Sequence, residues 1–157
     1  MEIKVNKAYV FDTVDETAAY IGAKAVGDEG AYERIFTTDA DRVLLENFWS
    51  EASEWATQQL KSFISQVSDN KVSHSVNLSQ NYEVTLKTPS NYDTSMDNSI
   101  NSSLFHFFVY FIVSKWCRLT SKSDAESYAI DATSMLNDAV RKLYHRKRPQ
   151  RPTDNEE

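Results

Sequence analysis

Residues 100–119, INSSLFHFFVYFIVSKWCRL, are the stretch on which the fold turns. From Leu104 to Val113 it holds ten residues, all apolar except His106, and continuing to Leu119 takes in Lys115 and Arg118. A membrane-spanning helix needs about 20 predominantly apolar residues, so this run is too short to cross a bilayer. It is long enough for a buried helix, and a helix apolar on every side sits in a core or between subunits. The spacing predicts a helix from about Ile100 to Leu119 carrying Phe105, Phe107, Phe108, Tyr110, Phe111 and Trp116.

The rest of the chain supplies partners for that helix. Its 157 residues are 41% hydrophobic and 25% charged, enough for one domain at residues 1–148 with a short tail at 149–157. Folding at this size buries about 68–70% of the unfolded surface, so neither metal nor disulfide is needed. Only three Gly and three Pro are present, which argues for long helices over a many-turned β architecture. Cys117 is the single cysteine, which excludes an intrachain disulfide and thiolate zinc clusters and fits a reducing compartment or a virion assembled in one. The start of the chain alternates Ile3 and Val5 with Glu2 and Lys4 and has no apolar core of a leader, so no secretory signal is expected.

On the C-terminal side, Ser123 with Glu126 forms a capping-box pattern. It opens a helix over about 123–146, with Ala125, Tyr128, Ala129, Ala132, Met135, Leu136, Ala139, Val140 and Leu143 at helical spacing. Pro149 and Pro152 prevent continuation. On the N-terminal side, Thr38 with Asp41 caps a helix predicted to reach Val67, with Leu45, Phe48, Ala52, Trp55 and Phe63 on its apolar face. Thr13 with Glu16 is read as the cap of a shorter helix that stops at Gly22, and residues 2–11 as a strand or arm able to lie along a neighbour. Residues 23–37 read as a loop with a helical turn. Between helices the period changes to two: Val72, His74, Val76 and Leu78, then Tyr82, Val84 and Leu86, separated by Ser79-Gln80-Asn81. That is a β-hairpin at about 71–88, and a lone hairpin needs further strands or another chain. The expected fold is mainly α: about four helices, a two- or three-stranded β element and extended termini. The core is expected to hold Trp55, Phe108, Trp116, Leu136 and Leu143.

No catalytic constellation emerges. His74, His106 and His145 share no motif with Cys117 or with paired acids, His106 reads as a satisfied core histidine, and neither HExxH nor Cys/His metal spacing occurs. The Gly27-Asp28-Glu29-Gly30 turn lacks the lysine of a phosphate loop. Arg141, Lys142, Arg146, Lys147, Arg148 and Arg151 form a basic run without an intervening acid, which raises a second reading: a small regulatory or nucleic-acid-binding protein using this end. The net charge is −6 and unevenly placed. Residues 1–60 hold 5 basic and 12 acidic side chains, residues 61–157 hold 12 and 11, a polarity that suits head-to-tail stacking.

The order of parts resembles a known family. A short helix, a capped helix containing Asp41-Arg42-Val43-Leu44-Leu45 with Ala52 and Trp55, a hairpin, an aromatic helix and a last helix closing on Asp138-Ala139-Val140-Arg141-Lys142-Leu143-Tyr144 is similar to the head-to-tail connector (adaptor, neck-ring) proteins of tailed bacteriophages. It is similar in particular to small virion proteins of phages and prophages of gut Bacteroidetes, including the ring proteins in the neck of crAss-like phages. The resemblance spans roughly residues 12–148. The Phe-rich helix and the N-terminal arm depart from the smallest adaptors. It implies a non-enzymatic protein, without cofactor or metal, made in the host cytoplasm. The protein would assemble as a homo-oligomeric ring against the portal and neighbouring neck or tail proteins, away from any membrane, with DNA passing without sequence-specific binding. The expected partner interface comprises Val76, Leu78, Tyr82, Val84 and Leu86 of the hairpin, with Tyr144, Arg146, Lys147, Arg148 and Arg151 of the C-terminal segment.

Overall fold

In a computed structural model, which describes residues 1–25, 27, 29–67 and 81–149, the aromatic stretch is a helix around which the other elements are arranged. In chain order these are β1 (Glu2–Val5), α1 (Lys7–Lys24), α2 (Ala31–Ile35), α3 (Arg42–Leu60), β2 (Ile64–Val67), β3 (Tyr82–Leu86), α4 (Asp97–Thr120) and α5 (Lys122–Leu143). The fold is mainly α, with four long helices and a three-stranded antiparallel sheet.

α4 is the aromatic helix. Ile100, Leu104, Phe107, Phe108, Ile112, Val113, Trp116 and Cys117 are all buried, at positions that run around the helix rather than along one stripe. Burying each large apolar side chain contributes about 1.5–3 kcal/mol, so this helix is the chief source of hydrophobic stabilisation. α5 runs along it, followed in extent by α3, α1 and β1. The inward stripe of α5 is Ala125, Ala132, Leu136, Ala139 and Leu143, and its alanines allow close approach of the two helices. α3 contributes Leu45, Phe48, Trp49, Ala52, Ala56 and Leu60. The Trp49 ring lies 4.5 Å from that of Phe108.

The helix expected over 123–146 runs Lys122–Leu143, and its cap stands two residues before the one that the pattern predicts. Ser121, not Ser123, stands before it, its hydroxyl donating to Asp124 at 2.6 Å. The Thr38–Asp41 cap is present: the Asp41 carboxylate accepts the Thr38 backbone N–H at 2.8 Å and its hydroxyl at 3.0 Å, and a 3-10 turn at Asp39–Asp41 leads into α3.

Several boundaries differ from expectation, each for a physical reason. The strand read over 2–11 stops at Val5. The Asn6 side chain accepts the Tyr9 N–H at 3.0 Å and starts α1 there, so Tyr9 and Phe11 are helical. Thr13 is consequently inside the helix, its hydroxyl donating to the Tyr9 carbonyl at 2.9 Å, and no cap forms with Glu16. Gly22 does not stop α1. It permits a close approach, because a Cβ there would lie 2.9 Å from the Tyr32 Cα. α3 ends at Leu60 instead of Val67, since Phe63 N–H turns back to the Leu60 carbonyl at 2.9 Å and Ile64–Val67 is captured as a strand. Trp55, expected in the core, is 48% exposed. His106 is exposed as well, its Nδ1 3.0 Å from the Ser102 carbonyl oxygen. The long polar loop before α4 is shortened by a 3-10 turn at Thr94–Met96, where the Asp93 side chain accepts the Ser95 N–H at 3.0 Å.

The sheet order is β1-β3-β2, so β3 is central. β1 pairs with β3 in the register Lys4↔Glu83, and the Lys4 ammonium meets the Glu83 carboxylate at 2.7 Å. β2 pairs on the other side, with an irregularity between Ile64 and Gln66. The antiparallel partner of 82–86 among the described residues is therefore 64–67; residues 71–80, which carry the expected first hairpin strand, lie outside the described residues. The arm expected along a neighbour completes the chain's own sheet. Among the described residues, no helix is long and apolar enough to cross a membrane.

Candidate interaction surface

The residues expected at a partner interface divide into two groups. Tyr82, Val84 and Leu86 point into the core from the central strand and are buried, with Tyr82 against Phe108 at 5.2 Å between rings. Burial pushes the Tyr82 hydroxyl up to about 12, partly offset by its hydrogen bond with Thr57. Both edges of β3 are taken, so these three are core residues and not an edge awaiting another chain. Val76, Leu78 and Arg151 lie outside the described residues.

The C-terminal group is at the surface, but it is strapped down. After α5 the chain turns at Tyr144, whose exposed ring meets Phe63 edge-on at 5.1 Å. Arg146 forms a backbone bridge with Tyr92, and the Lys147 N–H donates to the Asn91 carbonyl at 2.9 Å. Tyr92 beneath is buried, its hydroxyl donating to Asp97 at 2.8 Å; burial, and then that carboxylate, push the phenol above its ordinary range. The first residue joins the same end, where the N-terminal ammonium donates to the Leu86 carbonyl at 3.1 Å.

The basic run is largely engaged inside the protomer. Arg141 meets the Asp138 carboxylate at 2.8 Å and Lys142 pairs with the same group. The Arg146 guanidinium donates to the Leu143 and His145 carbonyls at 2.9 and 3.2 Å, closing the free end of α5. Asp93 stands 3.7 Å from the His145 ring, and its carboxyl is held below the usual range by hydrogen bonds from Ser95 first, with His145 and Lys147 adding. Of the five lysines and arginines of the run among the described residues, Arg141, Lys142 and Arg146 make such internal contacts, which lowers the number free for phosphate.

One cluster was not singled out by sequence reading. Ser103 on α4 donates to Asp138 on α5 at 2.9 Å, and Lys142 donates to the Ser103 hydroxyl at 2.9 Å. A serine beside a lysine invites a nucleophile–base reading. The geometry opposes it: Lys142 is paired with the Asp138 carboxylate and stands as a hydrogen-bond donor to the Ser103 hydroxyl, while the serine proton is directed to Asp138. The Lys142 hydrogen bond, with Ser103 and Arg141 assisting, keeps the Asp138 carboxyl below its usual range. The cluster therefore acts as a polar clamp between two helices. The signal was available, because Asp138 and Lys142 are four apart on one helix face; only the position of Ser103 was hidden.

The Cys117 thiol is buried, and burial first, then Asp124, pushes it up to about 11, away from thiolate chemistry. No group of three or more metal-ligating side chains is found among the described residues. What stands out at the surface is apolar: Tyr9, Val43, Trp55, Leu119, Ile130 and Tyr144 are all exposed, on four different helices and the strap. Compared with known proteins, the chain matches no family model, no curated protein and no solved structure.

Proposed function

We propose that this chain is a non-enzymatic assembly subunit of the head-to-tail connector kind, forming a homo-oligomeric ring against a phage portal and its neck or tail neighbours. DNA passes through such a ring without sequence-specific contact. The observation that carries this reading is the set of large apolar side chains left in water on outward helix faces. Trp55 is the foremost: 48% exposed, on a stretch of α3 otherwise carrying Glu51, Glu54, Gln58 and Gln59. Tryptophan so placed is typical of the centre of a protein–protein contact. The exposed set is spread over unlike surfaces, and the outer face of α5 adds a groove of about 890 Å³ lined by Ile130, Met135 and Asp138 among others. Two unlike complementary surfaces generate a ring when the rotation between copies closes, where a single self-complementary patch gives a dimer. The uneven charge of the two halves supports the same arrangement.

The test is sedimentation velocity over a range of concentrations, with negative-stain microscopy of the heaviest species. Closed rings, or association that appears when portal is added, are expected. A monomer at every concentration that binds DNA with steep salt dependence overturns the proposal in favour of the nucleic-acid-binding reading. That second reading is the weaker, because Arg141, Lys142 and Arg146 already have partners within the protomer.

A further inference from the structure

Five aromatic rings make a continuous ribbon over three helices. Tyr9 at the start of α1 lies 5.6 Å from Phe105, Phe105 5.5 Å from His106, His106 5.9 Å from Tyr110, and Tyr110 6.0 Å from Tyr128 on α5. Tyr9 is 66% exposed and His106 is exposed, while Phe105, Tyr110 and Tyr128 are half-buried and rest on the core. The ribbon is thus held in place by the fold, and a binder need not order it.

Its electrostatics are one-sided. No Lys or Arg stands three or four residues from any of the five rings, whereas Asp12 lies one turn beyond Tyr9, and Asp124 and Asp131 lie one turn to either side of Tyr128. Asp124 is held by the Ser121 hydroxyl. Asp12 and Asp131 make no hydrogen bond or ion pair among the described residues. The faces of the Tyr9, Phe105, Tyr110 and Tyr128 rings carry negative potential and attract cations, guanidinium above all, and an unpaired carboxylate at each end adds to that attraction. Such a surface repels a phosphate backbone and selects a cationic peptide.

The chain itself contains a segment of that chemistry. Residues 148–152 read Arg-Pro-Gln-Arg-Pro, and no acid occurs from Tyr144 to Thr153. Proline restricts φ in the free chain, so a proline-rich sequence loses less conformational entropy on binding. We infer that the aromatic ribbon is the docking site for the Arg148–Pro152 segment of a second copy of this chain, its guanidiniums seated on the rings. This rests on the assembly proposed above and names the contact that propagates it. The contact is heterologous, since ribbon and segment are different parts of the molecule, so each copy offers one of each.

Two full-length double variants test it: Tyr9→Gln with His106→Gln in the ribbon, and Arg148→Gln with Arg151→Gln in the segment. Tyr9, His106 and Arg148 are exposed, and circular dichroism checks that both variants remain folded. Loss of several cation–ring contacts should weaken self-association of either variant alone by about tenfold or more. Mixed in equal amounts, they should form a one-to-one dimer that grows no further, because one intact ribbon meets one intact segment. If wild type associates and both variants associate equally well, the inference fails while the assembly proposal stands. It fails likewise if the variants are impaired but the mixture restores nothing, a result expected of a self-complementary contact or of a segment docked on its own ribbon. Wild type that stays monomeric overturns both. Tight binding of single-stranded oligonucleotide that is lost in the ribbon variant reassigns the rings to base stacking and overturns the inference.

Discussion

Two tryptophans, both on helices, have opposite roles. Trp116 is buried, and its indole N–H donates to the Ile35 carbonyl at 2.7 Å, tying α4 to α2. Trp55 stands about 100° around the helix from Ala56, outside the stripe formed by Ala52, Ala56 and Leu60. Trp116→Ala is expected to cost about 3–5 kcal/mol, measured by denaturant unfolding, from the void and the orphaned carbonyl. Trp55→Ala should change stability by about 0.5 kcal/mol or less while weakening association. Equal loss of stability in the two would contradict the placement of Trp55. Gly22 makes a third residue-level claim. A methyl group there meets the backbone of Tyr32, which cannot rotate away as a side chain would, so Gly22→Ala should lower stability by about 1–3 kcal/mol, read as an earlier unfolding midpoint.

The strap after α5 behaves as an element although it has no regular structure. Its contacts are the Tyr144–Phe63 ring pair, the Arg146–Tyr92 bridge and the Lys147–Asn91 hydrogen bond. A chain ending at Pro149 keeps all three and should melt as wild type does. Ending at Leu143 removes all three and opens the cover over Tyr92, at an expected cost of about 1–3 kcal/mol. Amide exchange at Asn91 and Tyr92 is the direct readout, with protection lost only in the shorter chain; equal protection in both would mean that the strap holds nothing. β1 is the other element whose role is positional. It occupies the edge of β3 that a free hairpin would have offered to another chain.

Across the whole molecule, helices are joined by few but well-placed ion pairs. Asp15 accepts from Thr37 and pairs with Arg42, both at 2.6 Å, and Lys7 pairs with Glu46, linking α1 to α3. Asp138 joins α5 to α4 through Ser103 and Lys142. The carboxyls of Asp138, Asp93 and Glu83 are all held lower in the folded protein than their usual values, Asp138 by Lys142 first, Asp93 by Ser95, Glu83 by Lys4. In acid the unfolded chain then binds more protons than the folded one, so stability rises with pH through the carboxylate range. The contribution is complete above the unfolded values and disappears as pH falls through the folded ones. Asp138→Asn should therefore melt below wild type at neutral pH, and the gap should close on acidification. A gap that stays constant with pH would show that the clamp does not depend on the charge of Asp138.

The sequence alone determined what local and compositional forces control. An apolar run as dense as 104–113 has no stable place except a core, and the alanine stripe of α5 repeats at helical spacing whatever surrounds it. The Thr38–Asp41 cap was legible because donor and acceptor are three residues apart. The tertiary structure alone decided the rest. Phe63 and Val67 continue the helical spacing of α3, yet Ile64–Val67 is a strand because β3 offers unpaired backbone groups beside it. Glu2–Val5 finds its partner about eighty residues away, beyond the reach of any local pattern. Trp55 and Trp116 were both expected in the core; the packing of helices buries Trp116 and leaves Trp55 in water. The aromatic ribbon likewise exists only because α1, α4 and α5 are brought side by side. Periodicity specifies which face of an element is apolar; which neighbour covers that face, and which apolar side chain is left in water, depends on contacts between residues far apart in the chain.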